Sequence, residues 1–124
     1  MKNAIVVLSD PRSGSDESTG RLFNALAAAY DLQQRKHTVS ILFQGAGTRW
    51  PALLSQPEHP FHDLFISVRG SVAGASLACS AVFGARDGAE AAGIDLLSDN
   101  QVPGTGGLPS LGALLEDGYH LLIF

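Results

Sequence analysis

Residues 39–43 read Val-Ser-Ile-Leu-Phe, a short run rich in β-branched and bulky apolar side chains that begins directly after the polar segment Gln33 to Thr38. A strand with one wet face alternates polar and apolar residues, whereas a strand buried on both faces stays apolar almost throughout. The run therefore reads as a buried strand. Working back from it, Leu22, Phe23, Leu26, Ala27 and Tyr30 recur at helical spacing, and Gln33 to Lys36 bring cations to the helix end. This predicts a long amphipathic helix, opened by Ser15, Asp16 or Ser18 as cap. Before it, Ala4 to Leu8 is a second unbroken apolar run, ending at Ser9-Asp10-Pro11. Strand, helix and strand in this order predict a right-handed crossover between parallel strands.

The same alternation continues downstream. Pro51 and Pro60 suit first-turn positions, so short helices are expected near Pro51 to Ser55 and from Pro60 to Val68, the second burying Phe61, Leu64, Phe65 and Val68. Gly74 to Ala78 reads as a third strand and Ser80 to Ala92 as a helix stopped by Gly93, which leaves Cys79 at their junction. Ile94 to Leu97, a helix over Leu111 to Asp117 and a last strand over Tyr119 to Phe124 complete the pattern. The expectation is one α/β domain over residues 1–124: a three-layer αβα arrangement of about five mainly parallel strands with helices on both faces.

Composition narrows the function classes. The chain of 124 residues has a formal charge of −4, and its eight Lys and Arg are scattered, which argues against nucleic acid as a partner. No apolar run approaches the roughly 20 residues of a membrane span, and no basic-then-apolar leader opens the sequence. One cysteine excludes an internal disulfide, so a reducing, cytoplasmic setting is expected.

In open parallel sheets ligands gather beyond the carboxyl ends of the strands, where loops diverge and helix N-termini present free N–H groups. Asp10, Gln44, Cys79 and Asn100 fall at that edge. A thiol at a helix N-terminus gains thiolate character, although a cysteine among Leu77, Ala78 and Ala81 also suits plain packing. Arg49 could draw an anion, and Trp50 beside it is either a loop anchor or a packed aromatic. The loop Ser9 to Gly20 is loosely similar to a flavodoxin phosphate loop but lacks both the P-loop ending and the dinucleotide fingerprint. No cofactor is expected. His59 and His62 lack further ligands at metal spacing and read as solvated.

The order of "AIVVLSDP", "HTVSILFQGAG", "LACSAVFGA", "AAGIDLL" and "LPSLGALLEDGYHLLIF" resembles the DsrE-like family, small α/β proteins of sulfur relay and their relatives. The resemblance covers most of the chain and implies the flavodoxin- or Rossmann-like fold of that family. It further implies a cysteine, here Cys79, that accepts and passes on sulfur as a persulfide, donor and acceptor proteins as partners, and a homo-oligomer, trimeric or hexameric. Some sulfur-relay relatives carry additional cysteines near the active one; here Ser80 follows instead. Two other readings stand beside this one. In the first, a flavodoxin-like module holds phosphate on Ser13 to Thr19 with Trp50 shielding a ring; in the second, the chain is a non-catalytic assembly subunit.

Overall fold

A computed structural model describes all 124 residues. Five strands form one sheet: β1 (Lys2–Val7), β2 (Thr38–Phe43), β3 (Val72–Ser76), β4 (Leu96–Leu97) and β5 (Tyr119–Ile123). Their spatial order is β4-β3-β2-β1-β5, and every neighbouring pair is parallel. The helices are α1 (Asp16–Gln34), α2 (Trp50–Leu54), α3 (His62–Val68), α4 (Leu77–Val82), α5 (Arg86–Ala91) and α6 (Leu111–Glu116).

The two apolar runs that set the fold lie in the middle of the sheet. Ile5, Val7, Ile41 and Phe43 face one side and pack with Leu22, Leu26, Leu54, Phe65 and Val68 from α1, α2 and α3. Ala4, Val6 and Leu42 face the other, beneath Leu111 and Leu114 of α6. The three connections up to β4 cover one face, and the last, through α6, crosses to the second. This is a three-layer αβα fold with an unequal outer pair.

Strand and helix ends differ from the sequence expectation where local signals were weak. Leu8 lies beyond β1 and is 43% exposed. Phe23 and Tyr30 were expected on the buried face of α1, but that face is Leu22, Ala25, Leu26 and Ala29, and both aromatic rings reach the surface. Small residues let α1 lie close to the sheet, which pushes the bulkier side chains outward. β4 is two residues long, and Ile94 is buried ahead of it rather than paired within it.

Helix α1 begins at Ser15, whose hydroxyl accepts from the Ser18 N–H at 3.1 Å. At its end, Lys36 N–H donates to Gln33 C=O and His37 N–H to Leu32 C=O, the paired bonds of a Schellman turn. The left-handed position of that turn is held by Lys36, at φ 64°. A side chain there costs on the order of 1 kcal/mol relative to glycine. Lys36→Gly is therefore expected to stabilise the protein by up to about 1 kcal/mol in urea denaturation. A loss of stability would show that the lysine side chain makes contacts that outweigh its backbone strain.

Candidate functional site

The carboxyl edge of the sheet gathers the loop after β1, the turn after β2 and the start of α4. β3 ends two residues earlier than expected because Ser76 caps α4: its hydroxyl accepts from the Cys79 N–H at 3.2 Å. Cys79 is thus the third residue of a helix rather than a junction residue, and it is half-buried. The expected single helix over Ser80 to Ala92 is two, α4 and α5, because the chain turns at Gly84 with φ 65°.

Capping engages backbone donors beside the thiol. The N–H of Ala78 donates to Gly107 C=O at 2.9 Å, and that of Cys79 is taken by Ser76. These two first-turn N–H groups are therefore engaged within the chain. Ser76, the residue that sequence reasoning missed, carries a local signal in hindsight: a serine three positions before Cys79 is ordinary cap spacing.

Asp10 and Arg49, distant in sequence, do meet. Arg49 Nη1 lies 3.0 Å from Asp10 Oδ1, its Nε donates to Phe83 C=O at 3.2 Å, and its guanidinium stands 5.4 Å from the centre of the Phe83 ring. The arginine braces the ends of β1, β2 and α4 with its charge already paired. Arg49 and Arg12 also line a cavity of 260 Å³ together with Pro11, Leu53, Gly84 and Ala85. Cys79 lines neither this cavity nor the 290 Å³ cleft beside Leu77, Ala81 and Arg86.

The other expected neighbours separate. Trp50 is 3% exposed and donates from Nε1 to Ser9 C=O at 2.9 Å, so it is a packed anchor whose ring is closed to any ligand. Gln44 is buried at the end of β2, and Ser80 is fully buried with its hydroxyl unpartnered. Asn100 is exposed and bridges to Leu108 in the loop before α6. His59 accepts from the Phe61 N–H through Nδ1 and stands edge-on to Trp50, and His62 Nδ1 sits 2.7 Å from Leu54 C=O. Both imidazoles are half-buried and engaged by backbone groups rather than freely solvated. Burial, and then the charge of His62, lower the His59 pKa. In the loop Ser13 to Thr19, hydroxyls and amides bond one another: Ser13 Oγ with Ser15 Oγ, Ser15 Oγ with the Ser18 N–H, and Ser18 Oγ with Asp10 C=O. Those groups serve the entry into α1.

The slight burial of Asp10 raises its pKa. The Arg12 N–H bond, the Arg49 bond and charge, and the Arg12 charge outweigh that, so the carboxyl is held below its ordinary value. A depressed carboxylate contributes stability that is fully present above the unfolded pKa of about 4 and lost as pH falls through the lower folded value. The stability gap between wild type and Asp10→Asn is therefore expected to be constant above about pH 4 and to close below it. Because the side chain is 35% exposed, the gap is modest. A gap that persists unchanged to the acid end would place the stabilisation elsewhere.

These features define a parallel α/β protein with a lone half-buried thiol in α4 and, apart from it, an arginine-lined cavity at the carboxyl edge. No family model, curated protein or solved structure matches the chain.

Proposed function

We propose that the chain is a sulfur carrier that holds sulfane sulfur as a persulfide on Cys79. The observation that carries the reading is the position of the only thiol: half-buried in the first turn of α4, just beyond the end of β3 on the ligand-binding edge of a parallel sheet. The resemblance to DsrE-like proteins supports it through the same residue. In the loading step the Cys79 thiolate attacks the outer sulfur of a donor persulfide. A new S–S bond forms to Cys79 as the donor's S–S bond breaks, and the donor leaves as its thiolate. No net oxidation occurs.

The absence of a second cysteine shapes the unloading step. An internal resolving thiol would collapse the persulfide to a disulfide; without one, sulfur leaves only by attack from another molecule. Donor and acceptor proteins are the partners this requires. A reducing compartment, the cytoplasm, keeps the thiol available, and the family resemblance adds a homo-oligomer, trimeric or hexameric.

The test is intact mass after incubation with a small-molecule persulfide. The expected product is heavier by one sulfur, about 32 Da, and reverts on treatment with a thiol reductant. Native protein that stays at its unmodified mass while the unfolded chain reacts would make Cys79 a packing residue and end this reading.

A further inference from the structure

The two edges of the sheet are unlike. β4 is only two residues long, one of the ordinary ways in which a protein blunts an edge. β5 is five residues long, reads Tyr-His-Leu-Leu-Ile, and has no proline, lysine or carboxylate to discourage pairing. Its backbone register can be read from the bonds at its end: Phe124 N–H donates to Val6 C=O, and Phe124 C=O accepts from Leu8 N–H. In a parallel ladder the residues that bond to the neighbour alternate. His120 and Leu122 therefore turn their backbone groups toward β1, and Tyr119, Leu121 and Ile123 turn theirs outward, where no partner is found within the chain.

From this register we propose that β5 is the contact between two copies of the protein, paired antiparallel about a twofold axis at Leu121. The arrangement is self-complementary. Leu121 faces Leu121 of the second copy and Tyr119 faces its Ile123, and each of these facing pairs exchanges two N–H···O bonds, so every outward group of the strand is satisfied. The side chains agree with the backbone. Tyr119 and Leu121 lie on the α6 face and Ile123 alternates onto it, 53% exposed. Pairing sets this isoleucine against the Tyr119 ring, a favourable aromatic and β-branched cross-strand pair. Charge does not oppose the contact. Asp117, two residues before the strand, is already paired with Lys2 at 3.3 Å, and that lysine stands 5.5 Å from the centre of the Tyr119 ring. A chain of net charge −4 thus meets its copy along a strand that has no Asp, Glu, Lys or Arg. This contact is independent of the chemistry at Cys79.

Light scattering is expected to give an even multiple of the 13.0 kDa chain at micromolar concentration, which admits the hexamer of the sulfur-carrier reading and excludes its trimer. Ile123→Pro removes a donor that no intrachain bond uses, and proline is tolerated at such edge positions. It is expected to halve the mass with an unchanged circular dichroism spectrum, and Ile123→Lys to do the same. Hydrogen exchange of the wild type supplies a readout free of folding effects: the Tyr119, Leu121 and Ile123 amides should be as protected as those of His120 and Leu122. A monomer, an odd-numbered assembly, a mass unchanged in both variants, or fast exchange at those three amides would overturn the proposal.

Discussion

Serine in place of Cys79 is expected to abolish sulfur loading completely and to leave the fold intact. The chain has no other thiol to take over, so the mass increase after persulfide treatment should vanish rather than diminish. Serine differs from cysteine by one atom at a half-buried position, and such changes alter stability by less than about 1 kcal/mol. The denaturation midpoint therefore serves as the control. Retention of the adduct in Cys79→Ser would mean that the sulfur sits elsewhere, and the carrier reading would fail with it. The neighbouring Ser80 gives a contrasting expectation: its hydroxyl is fully buried and unpartnered, so Ser80→Ala should preserve loading and lose no hydrogen bond.

The largest effect on stability is expected at Gly47. The turn after β2, Gly45–Arg49, lies directly on the end of β1, and a Cβ at residue 47 would overlap the carbonyl oxygen of Val7 and stand 2.9 Å from its carbon. That oxygen cannot withdraw, because it accepts from the Gln44 N–H at 3.0 Å within the centre of the sheet. Gly47→Ala must shift backbone rather than a side chain, and a cost of at least about 3 kcal/mol follows, a large share of the 5–15 kcal/mol that ordinarily holds a domain folded. Urea denaturation should show the midpoint falling steeply. Gly20→Ala is the companion experiment: it lies within α1 with nothing near its Cβ, so it should gain about 0.5–1 kcal/mol. Equal effects at the two sites would refute the close approach of the turn to β1.

The class of the fold is legible in the chain, because the property that reveals a buried parallel strand is local. Ala4 to Val7 and Ile41 to Phe43 have no polar face to offer water, and the helical spacing between them leaves one crossover to consider. Glycine and proline set most helix limits to within a residue or two for the same reason. Legibility fell where side chains are small. Through Val72-Ala73-Gly74-Ala75-Ser76-Leu77-Ala78-Cys79 no contrast in size or polarity marks where strand becomes helix, so the boundary moved by two residues and carried the environment of Cys79 with it.

The site's neighbourhood and the strand order arise from contacts between distant parts of the chain. Arg49 finds Asp10 across 39 positions and Trp50 finds Ser9 across 41, and neither pairing has a periodic trace in the chain. The placement of β5 beside β1, with its outer edge open, depends on a crossover past three strands to the far face. The Ala78 N–H is claimed by a carbonyl at Gly107 that belongs to a different loop. Such contacts are set by which surfaces meet once the core has closed. Hydrophobic periodicity fixes what must be buried; it does not fix which polar group is left beside which.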